Sequence, residues 1–158
     1  MELKKMSTLP EQMKVDFFTQ HWGSPQMVLS SGVFDCHTLE GYFAFDGTQI
    51  AGVITYVIDK DTCEVISLDS VKENQGIGTL LLRKVENAAQ EHGCNSIKLV
   101  TTNDNLHALA FYQKRGFRMV DILHDAVKKA RKIKPEIPLI GLHGLPVLDE
   151  IVLRKSLA

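Results

Sequence analysis

At 158 residues the chain has the size of one domain, 1–158, with a core of its own. A formal charge of −1 with 23% charged residues gives no global electrostatic reason to expect a nucleic-acid or membrane partner. No apolar run approaches the ~18 residues a membrane span needs, and Met1-Glu2-Leu3-Lys4-Lys5 lacks the apolar stretch of a secretion signal. Cys36, Cys63 and Cys94 are odd in number and form no C-x-x-C, which fits reduced thiols better than a disulfide or zinc scaffold. The six histidines show no ligand spacing. A cytoplasmic protein without a metal is expected.

In chain order, Thr8-Leu9-Pro10-Glu11 has the form of a capping box with proline in the first turn. It predicts a helix carrying Met13, Phe17 and Phe18 up to the break at Gly23-Ser24-Pro25. Trp22 stands at that break, either as an aromatic at the core edge or as a substrate contact. Met27 to Ser30 reads as a short first strand. Leu39 to Phe45 and Gln49 to Ile58 read as a hairpin joined by Asp46-Gly47. Asp59 to Thr62 turns the chain into a further strand from near Cys63.

Two strand-to-helix units follow. The first runs from strand Glu64–Asp69 through a polar loop to Gly76 and Gly78, which open a helix through Leu81, Val85, Ala88 and Ala89 to Gly93. The first turn of a helix has N–H groups without internal partners and a partial positive charge. Glycine leaves that backbone bare, so the loop makes a good seat for a phosphate. The second unit runs from strand Ile97–Thr101 into Asn103-Asp104-Asn105, any of which can cap the next helix, which closes with Lys114-Arg115-Gly116. Asn105, Ala108 and Tyr112 are three and four apart and share one helix face.

Beyond Phe117, strands are expected at Arg118–Ile122 and Glu150–Arg154, with a short helix at Asp125–Lys132 between them. Pro135, Pro138, Gly141, Gly144 and Pro146 then forbid regular structure. Lys128, Lys129, Arg131, Lys132 and Lys134 make the insert 125–149 basic, either as a solvated face or as an attraction for an anionic substrate or partner.

Gln75-Gly76-Ile77-Gly78 followed by Leu81, with Asn105-x-x-Ala108-x-x-Phe111-Tyr112-x-x-x-Gly116-Phe117 downstream, resembles the two signature motifs of the GNAT superfamily of N-acetyltransferases. The resemblance covers about a third of the chain. It implies an α/β (α+β) fold with a mixed, mostly antiparallel central sheet of about seven strands, splayed between the fourth and fifth and flanked by helices. It also implies transfer of an acetyl group from acetyl-CoA to a primary amine, on a small molecule or a peptide, by direct attack in a ternary complex. Pantetheine would bond the backbone of Leu68 and Ser70, where a strand N–H would polarise the thioester carbonyl. The pyrophosphate would sit on the amides of Gln75, Gly76, Ile77, Gly78 and Thr79 with Asn74 close by, and Asn105, Ala108 and Phe111 would flank the cofactor. Tyr112 matches the family's usual general acid for the coenzyme A sulfur, its alternative being a core tyrosine. Asn105 is open between helix cap and cofactor contact.

An alkylammonium is neutral only about once in 2,500 molecules at pH 7, so a base assists attack. Strict alternation sets Glu64 on the face of Ile66 and Leu68, either as an exposed strand charge or looking into the cleft, where it would act as the base through water. Asp69 competes, but falls on the other face unless a bulge re-aims it. Glu73 departs from the arginine or glutamine usual three positions before Gly76, and a carboxylate there would repel a pyrophosphate unless it turned to solvent. The proline often found at the position of Ser70 is also absent. The alternative function is a non-catalytic acyl-CoA sensor or assembly module of the same fold. The resemblance also brings a homodimer into view, with no interface marked in the sequence.

Overall fold

A computed structural model of the chain describes residues 1–71 and 75–157. Its elements in order are β1 (Glu2–Lys5), α1 (Glu11–Trp22), β2 (Gln26–Leu29), β3 (Gly32–Asp35), β4 (Glu40–Asp46), β5 (Gln49–Asp59) and β6 (Thr62–Ser70). There follow α2 (Ile77–Glu91), β7 (Ser96–Thr102), α3 (Leu106–Lys114), β8 (Arg118–Leu123), α4 (Ala126–Ile133) and β9 (Glu150–Ser156). The chain forms two compact units: Met1–Met27 and Phe34–Ile97 with Leu157, and Val28–Val33 with Lys98–Ser156. The division falls within β7 and within the small β2–β3 pair.

In the first unit β1, β4, β5 and β6 lie side by side, each pair antiparallel. Phe43 faces Val53 across the ladder while Ala44 faces Gly52, so these pairs mark opposite sides of the sheet. On the Phe43 side lies α1, with Phe17 and Phe18 ring centroids 5.2 and 6.2 Å from that of Phe43. On the Gly52 side lies α2, whose buried residues Ile77, Leu81, Leu82, Val85, Ala88 and Ala89 recur at helical spacing. Gly52 is what lets α2 come so close. A Cβ there would lie 2.7 Å from Ile77 Cγ2 and 2.9 Å from the Asp69 carbonyl oxygen.

Two expectations change in this unit. The first strand is Glu2–Lys5, which pairs with β4 from Glu2↔Phe45 to Lys5↔Tyr42. Its sequence, Glu-Leu-Lys-Lys, shows little apolar alternation, because a four-residue edge strand is secured by its ladder and by contacts such as the Lys4 ammonium 4.9 Å from the Phe45 ring centroid. Met27 instead belongs to β2, which pairs with β3. Nor does Thr8 cap α1. The N-cap residue is Pro10, and the Thr8 hydroxyl donates to the Lys5 carbonyl at 2.7 Å.

The second unit contributes β7, β9 and β8 in that spatial order, with β8 and β9 antiparallel. With the four strands of the first unit these make seven, mostly antiparallel as expected. Glu150, 2% exposed, opens β9, and its carboxylate accepts both the Ser30 hydroxyl at 2.6 Å and the Ser30 N–H at 3.2 Å. The insert before β9 is irregular, as its prolines and glycines require, but it is tied down. The Asn103 amide donates to the Pro146 carbonyl at 2.9 Å and its oxygen accepts the N–H groups of Leu148 and Asp149 at 2.9 and 3.0 Å. Asp104, 5% exposed, accepts the Thr102 hydroxyl and the Leu142 N–H. The Arg131 guanidinium donates to the carbonyls of Ile137, Pro138 and Val147 at 2.8–3.0 Å. One of the five basic residues of the insert is therefore a brace, while Lys128, Lys129 and Lys132 are exposed.

Candidate active site

In the first unit the glycine loop has the predicted form. Gly76 is the N-cap of α2 in the left-handed region (φ 73°, ψ 8°), with no side-chain cap and no acidic residue in the first turn. Among the described residues nothing lies within 4 Å of where a Cβ on Gly76 would stand. Gly76 is exposed and Ile77 buried, so the apolar side chain anchors the turn from below while the bare backbone above it stays open. Gly76 to Thr79 thus presents the partial positive end of a helix of 15 residues. Glu73 and Asn74 lie outside the described residues.

Upstream, Leu68 and Ser70 are partly exposed on β6, Leu68 opposite Ile54 and Ser70 opposite Gly52. The register overturns the alternation that grouped Glu64 with Leu68. Thr55 pairs with Ser67 but Tyr56 with Val65, so Ile66 is a bulge residue without a partner. Beyond it Glu64 pairs with Val57. Because residues opposite one another share a face, Glu64 lies with Ser67 and Asp69, away from Leu68. This is the α1 face. On it the buried hydroxyls of Thr55 and Ser67 meet at 2.5 Å.

A contact on the same face escaped the sequence reading. The Trp22 indole N–H donates to Asp69 Oδ2 at 2.8 Å, while Asp69 Oδ1 accepts the Ser70 N–H at 3.1 Å. Trp22 in turn packs on Phe18, ring centroids 4.8 Å apart. The position of Trp22 at a helix break was visible in the sequence; its partner, 47 residues away, was not.

Burial shapes the titration of this unit. It pushes the Cys63 thiol up to about 12, with Cys94 and then Glu64 adding to the effect, and Cys94 is raised too. Burial raises the Tyr56 hydroxyl as well, with Tyr42 next. The three cysteines form no disulfide.

In the second unit Asn105 caps α3, its side-chain oxygen accepting the Ala108 N–H at 3.2 Å. Ala108 and Phe111 are partly exposed on the helix that follows, and Tyr112 is buried at 8% exposure. The Tyr112 ring stands edge-on to both Phe111 and Phe117, at 5.3 and 5.6 Å. Arg115 closes the far end, its guanidinium 3.6 Å from the Phe111 ring centroid and donating to the Phe111 carbonyl at 2.8 Å. The two edge-on rings restrict the phenol's direction by packing. Of the three adjoining polar residues, only Asn105 serves as the cap; Asn103 and Asp104 hold the insert.

Among the described residues no three His, Cys, Asp or Glu side chains gather to hold a metal ion, and no helix is long and apolar enough to cross a membrane.

The sequence model of the acetyltransferase (GNAT) family matches residues 9–117. The uncharacterized protein YxbD of Bacillus subtilis (strain 168) is 55% identical over 150 residues, 94% of each chain. The crystal structure of a GNAT family acetyltransferase from Elizabethkingia anophelis with acetyl-CoA bound is 28% identical, with a TM-score of 0.67 over 75% of this chain and 76% of its own. An IAA acetyltransferase from Bacillus cereus ATCC 14579 shares the fold over 98% of both chains, with a TM-score of 0.71 at 21% identity.

Proposed function

The chain belongs to the acetyltransferase (GNAT) family, and we propose that it moves an acetyl group from acetyl-CoA to a primary amine by direct attack in a ternary complex, residues 1–158 acting as one catalytic domain. The observation that carries this reading is the bare, left-handed start of α2 at Gly76, with no atom of the described residues within 4 Å of where a Cβ would stand and no acidic side chain in its first turn. Acetyl-CoA enters as donor from the similar protein that holds it. In this reading the amides from Gln75 to Thr79, with Asn74, take the pyrophosphate, and the backbone of Leu68 and Ser70 takes the pantetheine. Asn105, Ala108 and Phe111 border the cofactor.

The chemistry then divides among few groups. The amine must lose a proton, the thioester carbonyl must be polarised, and the thiolate must gain a proton. A strand N–H of β6 supplies the second. The Tyr112 hydroxyl supplies the third. Glu64 assists the first through water, approaching from the α1 face where the bulge puts it. Glu64→Gln should alter the pH dependence of kcat/KM, and an unaltered profile removes Glu64 from the mechanism. Three cysteines outside disulfides suit a cytoplasmic setting. The half-exposed Met119, Val120 and Ile122 of β8 suit a homodimer, which light scattering would test.

Release of free thiol from acetyl-CoA over an amine panel tests the proposal as a whole. Turnover supports it; tight binding of acetyl-CoA with no turnover for any amine would instead make the chain an acyl-CoA-binding module. Gly76→Ala tests the loop. An added Cβ would meet no atom of the described residues within 4 Å, so the substitution should cost only the ~1–2 kcal/mol of a left-handed non-glycine residue, yet raise the KM for acetyl-CoA by more than that destabilisation explains.

A further inference from the structure

The Trp22–Asp69 contact has no part in the steps above, and its setting gives it one. Leu68 and Ser70 point to one side of β6 and Asp69 to the other. The α2 side of the sheet carries the glycine loop, and in the acetyl-transfer reading the donor occupies it. An amine attacking the same thioester has to arrive where the donor is not, which leaves the α1 side. Asp69 is the acid on that side nearest the backbone of Leu68 and Ser70, one residue from each.

Among the described residues its carboxylate is held by neutral donors and by no cation. An indole N–H is a donor without charge, and the second bond, from the Ser70 N–H, is also neutral. Each oxygen of an ionised carboxylate can accept two hydrogen bonds, so among the described residues one acceptor site remains on each oxygen beside these two. Both Asp69 and Trp22 are partly exposed. Trp22 is fixed in turn by Phe18, which is fully buried. A negative charge with its rotamer set by a neutral donor and its remaining acceptor sites open is suited to receive an ammonium.

We propose that Asp69 is the acceptor-binding residue, receiving the substrate amine in its ammonium form, and that Trp22 is the positioning residue that aims it. The inference rests on the acetyl-transfer reading and narrows the acceptor class. The favoured substrate is a basic aliphatic amine, such as an alkyl diamine or an amino sugar. A free amino acid is disfavoured, because the carboxylate next to its amine would meet Asp69 with like charge.

Trp22 is the sole tryptophan of the chain, so its fluorescence reports on this contact without turnover. With coenzyme A present, titration with 1,4-diaminobutane should shift Trp22 emission saturably, more weakly at high salt, while glycine should not. Asp69→Asn should abolish the shift and raise the KM of any accepted amine about 10- to 100-fold, leaving the KM for acetyl-CoA within about twofold. Trp22→Phe keeps the ring on Phe18 and removes the N–H, so it should raise the amine KM by about 3- to 10-fold. The double variant should be no worse than Asp69→Asn, as expected when one residue acts through the other.

Three outcomes overturn the proposal: an amine KM unchanged in Asp69→Asn, additive effects in the double variant, or no emission response to an amine that is turned over. If the emission responds but no amine releases thiol, the binding assignment stands and the transfer reading fails. Should Asp69→Asn not fold, the amine KM of Trp22→Phe decides, and an unchanged value counts against the proposal.

Discussion

The sheet of the first unit and the insert of the second solve the same problem by different means. Around β4, β5 and β6 the chain is held by shape: Phe17, Phe18 and Phe43 fill one face, and Ile77 and Leu81 press against a glycine on the other. Between α4 and β9 almost nothing repeats, and three polar side chains, Asn103, Asp104 and Arg131, hold the backbone by its own N–H and C=O groups. The first arrangement tolerates no added atom and rests mainly on apolar contact, the Thr55–Ser67 and Trp22–Asp69 pairs apart. The second needs its partners and leaves large apolar groups in water, with Leu139 and Ile140 69% and 60% exposed. Apolar packing suits a scaffold that must not move; side-chain ties suit a segment whose course regular structure cannot set.

The largest expected effect comes from the residue that departs from this division. Tyr112 belongs to the second unit but is clamped by aromatic rings. Tyr112→Phe keeps the clamp and should change the melting temperature little, while kcat falls by roughly 10²- to 10⁴-fold if the hydroxyl is the general acid. A rate within a few-fold of the parent would make it a core tyrosine.

Next in size is Gly52→Ala. The added methyl meets Ile77 and the β6 backbone, and chemical denaturation should show a loss of about 1–3 kcal/mol across the whole unit. Asp104→Ala should cost less, about 1 kcal/mol, and act locally. The Leu142 amide should exchange with solvent much faster while amides of β5 keep their protection. If Asp104→Ala opened β5 as well, the contrast between the two regions would fail.

The smallest effect is in pH. The folded-state value of Cys63 lies above its ordinary one, so the stability it contributes is intact below about pH 9 and is lost as pH rises toward about 12, and the raised Tyr56 hydroxyl acts in the same direction at higher pH. The denaturant midpoint should therefore fall over that range, and Cys63→Ala should flatten the fall.

The same contrast explains what could be read in advance. The hairpin at Asp46-Gly47, the apolar stripe of α2 and the capped start of α3 follow from periodicity and turn chemistry, which are local, and the glycine loop followed with them. β1 did not, since four residues of an edge strand are specified by the partner they lie against. The roles of Asn103 and Asp104 were also hidden, because both looked equally able to cap the helix that Asn105 caps.

The sequence by itself determined the family, the order of most strands and helices, and the loop at Gly76, because each is written in residues close together along the chain. Only the tertiary structure decided which way the carboxylates of β6 face. A single unpaired residue at Ile66 reverses the parity of every side chain beyond it, and whether a strand bulges depends on its neighbour's register. It also decided that Trp22 meets Asp69, since 47 residues of separation leave no trace in a local pattern.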